Sequence, residues 1–458
     1  MKTILQEVDT SLPASLKRLF ELLRIQSISA DSRYSNECEK AAVWLKKYLE
    51  EIGFKAQCHL TKGQPIVLAQ SFVHKNVPTI LFYGHYDVQP VDPITLWTIN
   101  PFEPCIRETA TGEKIIHGRG AADDKGQILT FLEACRVIFN QNRSLPINIT
   151  VLLEGEEESG GEHLPEFIAR YKEQLNCDVS FICDTDMATP TRAAITAMVR
   201  GLVSEEIIIH GANRDLHSGL YGNAAQNPIH ILTQIISSLR DDQGRITLKN
   251  FYEGVPEISD HVRALWQKIG KNDNDLLTPI GLKQPPGEKN YRAIEQTWCR
   301  PSFEVNGITG GYQEEGFKTI IPAMASAKIS FRLVGKQDPF KIRDSFREFV
   351  QAIVPKDCRV EFKSFGAAPA TMVSLNNPRI ERVKKALDEE WECETAIVGS
   401  GSAIPVVGEF QRQLGIESIL IGFSNPDDCI HSPNEKYNLR SFHKGIRSWV
   451  RILYALQN

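Results

Sequence analysis

The ten cysteines of this chain include no C-x-x-C pair, no G-K-[ST] follows a glycine-rich turn, and no G-x-G-x-x-G follows a strand-like run. The first absence leaves the cysteines as scattered buried thiols of a reduced compartment. The other two remove the sequence marks of a Walker phosphate loop and of a dinucleotide fold. Basic charge is also short. Lys and Arg total 52 against 57 Asp and Glu, a net charge of −5, and no Lys/Arg stripe is present, which argues against nucleic acid as a partner. The opening stretch MKTILQEVDTSLPASLKRLF has no uninterrupted apolar segment, so neither a signal peptide nor a membrane anchor is expected, and the cytoplasm is the simplest location. Repeats and low-complexity tracts are missing too. What remains, 42% hydrophobic and 24% charged residues over 458 positions, is an ordinary globular composition in a chain long enough to predict two domains.

Five separated segments each run from a buried strand or turn into His, Asp or Glu. They are ILFYGHYDV around His85, GRGAADDKG around Asp123 and Asp124, ITVLLEGEEESGG around Glu154 to Glu158, SFICDTD around Asp184 and Asp186, and FSNPDDCIHSPNE around His431. Taken singly, each has a plain explanation. A histidine at a strand end is often only hydrogen-bonded, acids at a helix start complement the helix dipole, and an acidic run is usually a solvated loop. Taken together they place carboxylates at one sheet edge, where the charges repel unless cations compensate them. Asp87, two residues after His85, can hold the second imidazole nitrogen and so fix the tautomer that a metal needs. Ser159, Gly160 and Gly161 form a tight turn that brings Glu157 and Glu158 back toward the sheet, one to ligate and one to move a proton.

The donors are oxygen and imidazole without thiolate. Such a set suits Zn²⁺, Mn²⁺ or Co²⁺ in an open hydrolytic site. Two histidines and three carboxylates saturate two ions only if one carboxylate bridges them.

In order and over nearly the whole chain, GHYDV, GRGAADDKG, EGEEESGG, CDTD and DDCIHSPNE resemble the successive motifs of the M20 family of metallopeptidases. YGHYDVQPVDPITLWTINPFEP is similar to the dipeptidase branch, which includes cytosolic nonspecific dipeptidases and carnosinases. The resemblance implies a zinc-peptidase-like α/β catalytic domain with a mixed, mainly parallel sheet flanked by helices. It implies two divalent ions per subunit, Zn²⁺ first with Mn²⁺ or Co²⁺ as substitutes. His85 and Asp184 would hold one, Glu158 and His431 the other, and Asp123, the first aspartate of the D-x-K-G pattern, would bridge. Glu157 matches the general base that serves a metal-bridging hydroxide as it attacks the peptide carbonyl, and Asp87 the acid that orients His85. DLHSGLYGN resembles a lid segment whose histidine, here His217, reaches the neighbouring subunit's site in dimeric relatives. Thr319 and Arg332 match substrate contacts, Arg332 as the grip on a C-terminal carboxylate. GSGSAIP, with Gly401 and Ser402, is similar to the substrate-facing loop but departs from Gly-Gly-Ser-Ile-Pro, since Ala403 stands where serine is expected.

The implied organisation is a catalytic domain in two parts, 1–198 and 371–458, with an inserted lid and dimerisation domain at 199–370. The insertion opens with the strand LVSEEIIIHG and the helix NAAQNPIHILTQIISSLR. It continues with strands drawn from the Thr319 to Val334 region, the helix DPFKIRDSFREFVQAIV and the strand CRVEFKSF, a β-α-β-β-α-β order that predicts an α+β, ferredoxin-like sandwich. The expected function is hydrolysis of dipeptides or short peptides by a homodimer. A deacylase of N-acyl amino acids would use the same metals, and a catalytically inactive metal-binding regulatory protein is the alternative of another class. A metalloesterase acting on phosphates would need a basic pocket, of which the sequence shows no sign.

Overall fold

The run TILFYGH carries no charged side chain before its final histidine, and it forms the strand Thr79–His85 inside a nine-stranded sheet. The computed structural model describes residues 1–457 apart from 74, 271, 374–376 and 403, with the backbone alone at 261 and 279. Asn148–Glu154 and Val179–Ile182 flank Thr79–His85 on either side, both parallel to it, and Ser418–Leu420 adds a fourth parallel strand beyond Val179–Ile182. Outside this parallel core, Ile66–Ser71 and Lys55–His59 on one side and Ala194–Val199 on the other run antiparallel to their neighbours.

Both faces of the central strand are covered, which is why its sequence is a continuous apolar run rather than an alternating one. Phe82 stacks on Phe131 at 3.8 Å, and Trp449 meets both rings edge-on at 5.7 and 5.2 Å. On the opposite face Tyr83 meets Phe410 at 5.9 Å. Phe131 and Trp449 belong to the helices Lys125–Asn142 and Leu439–Gln457, which form a layer with Lys2–Leu23 and Pro378–Trp391. Gly84 sits where a Cβ would lie 2.7 Å from Ile128 and 2.8 Å from the Asp124 carboxylate, so any larger residue would push the helix off the sheet. The four parallel strands all end at one edge, and their ends and the loops leaving them carry His85, Glu157, Glu158, Asp184 and His431.

By its internal packing the chain divides into two compact units, one of Met1–Ala197, Val373–Val398 and Glu409–Asn458, the other of Met198–Met372 and Gly399–Gly408. Gly401 and Ser402 therefore group with the second unit. That unit has an antiparallel sheet in the order Ser302–Gly310, Met324–Leu333, Gly201–His210, Arg359–Ala368. The helices Pro228–Ser238 and Pro339–Ile353 pack on it around Leu232, Ile235, Phe331 and Phe346. In chain order this is β-α-β-β-α-β. The second strand is Ser302–Gly310, earlier than the Thr319 to Val334 region that was expected to supply it. Its alternation is broken by a bulge between Val305 and Gly307, which hides the strand in the sequence. Among the described residues no helix is long and apolar enough to cross a membrane.

Candidate metal centre

Five donors from distant parts of the first unit meet in two triads that share Asp123. His85 Nε2 lies 3.0 Å from Asp123 Oδ1 and 3.9 Å from Asp184 Oδ2. His431 Nε2 lies 2.9 Å from Asp123 Oδ2 and 3.0 Å from Glu158 Oε2. Each oxygen of Asp123 thus faces one histidine, the disposition of a carboxylate that bridges two cations.

The strands explain the convergence. His85 ends Thr79–His85, Asp184 lies two residues past Val179–Ile182, and Glu157 and Glu158 form a single turn just after Asn148–Glu154. Gly160, with φ of 104°, closes that turn in a conformation that side-chain-bearing residues avoid. Asp123 precedes the helix Lys125–Asn142, and His431 follows Ser418–Leu420 in a loop where its own φ is 61°.

The competing acids separate by their partners. Asp124 is fully buried and accepts the backbone N–H of His85 at 3.1 Å, while Asp186 accepts the hydroxyl of Ser424 at 2.8 Å. Glu154 accepts Tyr83 Oη at 2.5 Å and Glu156 meets His163 Nδ1 at 2.9 Å. Glu157 has no side-chain partner among the described residues. Asp87 has a wider task than orienting His85. The imidazole Nδ1 is 3.2 Å from the Asp87 carbonyl and 3.4 Å from its carboxylate, which in turn accepts the N–H groups of Glu157 at 3.3 Å and Glu158 at 3.1 Å and the Ser29 hydroxyl at 2.5 Å. One carboxylate therefore ties the histidine to the glutamate turn.

Three further residues in this unit escaped the sequence reading. Gln89 donates to Glu158 Oε2 at 2.7 Å, Arg119 donates to the Pro90 carbonyl at 3.0 Å, and Glu435 accepts from Arg119 at 2.8 Å. All three stand inside the quoted motif segments; that they are polar and near donors was the only signal.

The electrostatics fit divalent cations. Burial pushes Asp184 well above the usual carboxylate range, with the Asp123 charge adding to it, and burial lifts Glu157 to about 7. Burial also opposes charge on Asp123, but the imidazoles of His431 and His85 beside it hold it below the usual range. Asp123 and Glu158 raise His431 to about 10. Without ions, this cup keeps its carboxylates compatible only by holding protons. His85 Nε2 is buried and makes no hydrogen bond although carboxylate oxygens face it, an orphaned lone pair that a cation placed among His85, Asp123 and Asp184 would satisfy. The donor chemistry suits divalent metal ions.

The other sequence candidates lie in the second unit, in two groups. His217 is exposed and pairs with Ile320 in a two-residue ladder; its Nδ1 accepts Gly219 N–H at 3.0 Å, and Ser218 N–H donates to the carbonyl of Thr319 at 3.0 Å. Arg332 lies on Met324–Leu333 opposite Ser302. Beside it, Arg200, which no motif flagged, donates from Nε to the Gly401 carbonyl at 3.1 Å, from its backbone to the Ser402 carbonyl at 3.2 Å, and from Nη1 to Ser302 Oγ at 3.4 Å. Burial, then the Arg332 charge, lowers Arg200 to about 10. Ala403 lies outside the described residues.

A family model described as Peptidase family M20/M25/M40 matches residues 81–455. The Cys-Gly metallodipeptidase DUG1 of Saccharomyces cerevisiae is 26% identical, over 99% of this chain and 97% of that protein. The Beta-Ala-His dipeptidase of Homo sapiens is 25% identical, over 98% of this chain and 91% of that protein. The crystal structure of the M20 family metallo-carboxypeptidase Sso-CP2 from Sulfolobus solfataricus superposes with a TM-score of 0.86 at 31% identity, covering 97% of this chain and 99% of that one. A family match over most of the chain, a fold match of this quality and two triads joined by one aspartate lead to the same conclusion: the chain belongs to peptidase family M20/M25/M40.

Proposed function

We propose that this chain hydrolyses the peptide bond of dipeptides or short peptides, with His85 and Asp184 holding one divalent ion, Glu158 and His431 the other, Asp123 shared between them, and Glu157 as general base. The observation that carries this reading is Glu157 itself. Of the glutamates in its segment, Glu154, Glu156 and Glu158 each have a side-chain partner, whereas the Glu157 carboxyl has none among the described residues and burial lifts it to about 7. A carboxyl poised there can take a proton and give it back near neutral pH, which a purely structural site has no use for.

When bound, the ions supply Lewis acidity, lowering the pKa of water toward neutrality and polarising the peptide carbonyl. Glu157 takes the proton of the attacking water and returns it to the departing amine. Asp87 holds His85 and the Glu157–Glu158 turn in register while this happens. His217 donates to the developing oxyanion, and Arg332 takes the substrate's C-terminal carboxylate through its planar fork, with Thr319, Gly401 and Ser402 completing the contacts. Arg332 has no ion-pair partner among the described residues, which leaves its guanidinium available. Zn²⁺ is the first choice of ion, with Mn²⁺ or Co²⁺ as substitutes.

Residues 199–370 act as a lid and as the surface of a homodimer in which His217 serves the partner's site. Apolar side chains exposed on this unit, Leu220, Ile308 and Phe317 at 76%, 56% and 91% exposure, are available for such pairing. Ten unpaired cysteines support a cytoplasmic location.

Substitution Glu157→Gln tests the assignment. The variant is expected to bind both ions as wild type does and to lose about 10²- to 10⁴-fold in kcat on dipeptides. A panel of dipeptides and N-acyl amino acids run on the wild type separates peptidase from deacylase; cleavage of acyl amino acids alone would refute the peptidase reading.

A further inference from the structure

The two loops that bring Asp123 and His431 together are held by one buried carboxylate. Glu435, fully buried, lies four residues after His431 and reaches into the turn that carries Asp123. Its Oε1 accepts the backbone N–H of Ala122 at 2.9 Å and of Asp123 at 3.1 Å, and its Oε2 accepts Gly120 N–H at 2.8 Å and Arg119 Nη1 at 2.8 Å. Its own carbonyl accepts Gly118 N–H at 3.1 Å. The next residues, Lys436–Asn438, pair antiparallel with Lys114–His117, so the two loops are also stitched at their bases.

The connection continues through Arg119. Its Nη2 donates to the Pro90 carbonyl at 3.0 Å, and Gln89, the preceding residue, donates to Glu158 Oε2 at 2.7 Å. Asp123, Glu158 and His431, the whole of one triad, are thus tied through Glu435 and its partners. In the other triad only the shared Asp123 is so tied, since His85 and Asp184 are set by the parallel strands that bear them.

We infer that Glu435 is a positioning residue that sets the separation of Asp123 from His431, and that it governs the ion held by Glu158 and His431 more strongly than the ion held by His85 and Asp184. This rests on the assignment of the two triads as ion sites. Glutamine in its place keeps the shape but turns an NH₂ group toward N–H donors, so the turn must shift. Loss of such an outer support costs about 10- to 100-fold in metal affinity.

The test uses the full-length protein, stripped with chelator and titrated with Co²⁺ alone against a competing chelator, with absorption spectra recorded and the melting temperature measured before and after loading. Expected for Glu435→Gln is one ion bound within a factor of about three of wild type and the second weakened about 10- to 100-fold. At one equivalent its spectrum should match that of His431→Ala. Unchanged affinities for both ions, or an equal fall in melting temperature with and without Co²⁺ at unchanged affinities, would overturn the inference and leave Glu435 a folding residue. Should Glu435→Gln fail to fold, Arg119→Met removes one of the four donors and is expected to show the same asymmetry in smaller measure, and its absence there would also overturn the inference. A wild-type protein that binds fewer than two ions would instead refute the triad assignment.

Discussion

The two units treat their chemistry-bearing side chains differently. In the first, every residue of the two triads is fixed by its strand or by a chain of hydrogen bonds through Asp87, Gln89, Arg119 and Glu435. In the second, His217 and Thr319 are exposed, and the Arg332 side chain makes no hydrogen bond or ion pair among the described residues. The contrast matches the tasks proposed for them. Cations a few ångströms apart need donors set before they arrive, whereas groups that meet a substrate can be ordered by it. Damage to the first unit should therefore appear in ion binding, and damage to the second in rate or substrate affinity with ion binding untouched.

The largest effect is expected at the shared aspartate. Asp123→Ala removes a donor from both triads at once, and ion content measured by elemental analysis should fall for both, with dipeptide hydrolysis lost. Retention of two tightly held ions would break the bridging role. Next comes His217→Ala, with kcat lower by about 10²-fold, as for loss of an oxyanion donor, and unchanged ion content. Mixing this variant with Glu157→Gln sharpens the point, because shared sites in a homodimer restore part of the activity, and verified mixed dimers without any recovery would exclude a trans role. Arg332→Lys should act more mildly, raising KM about tenfold through loss of one of two parallel hydrogen bonds while kcat changes less; an unchanged KM for dipeptides would remove Arg332 from the carboxylate site.

The smallest signal is protonic. His431 is raised from the ordinary 6.5 to about 10 by Asp123 and Glu158. Its contribution to the stability of the ion-free protein is full below about 6.5 and is lost as pH rises through about 10, since the folded state binds the extra proton in that window. An ion needs the neutral imidazole, so loading at pH 8 should release protons, and affinity should rise with pH across the same window. Calorimetry in buffers of different ionisation enthalpy measures the release; none, or uptake, would contradict the protonated cup.

Much of the first unit was legible in the sequence because strand and ligand are contiguous there. TILFYGH is both the buried strand and the histidine, and NITVLLE runs straight into the glutamate turn. Spacing alone did not divide the glutamates, which only the family resemblance assigned; the fold adds that Tyr83 and His163 take Glu154 and Glu156. Arg200 stayed invisible for a different reason. Its shorter hydrogen bonds go to the carbonyls of Gly401 and Ser402, two hundred residues away, and a contact with backbone leaves no mark in side-chain spacing. Ser302–Gly310 was missed because a bulge and two glycines break the alternation that marks a strand.

The central claim is most directly tested by anomalous diffraction from crystals of the Zn²⁺-loaded protein. Two peaks are expected in each subunit, one bounded by His85 and Asp184, the other by Glu158 and His431, with one oxygen of Asp123 on each and Glu157 on neither. A single peak, or a second peak ligated by Glu157, would contradict the account.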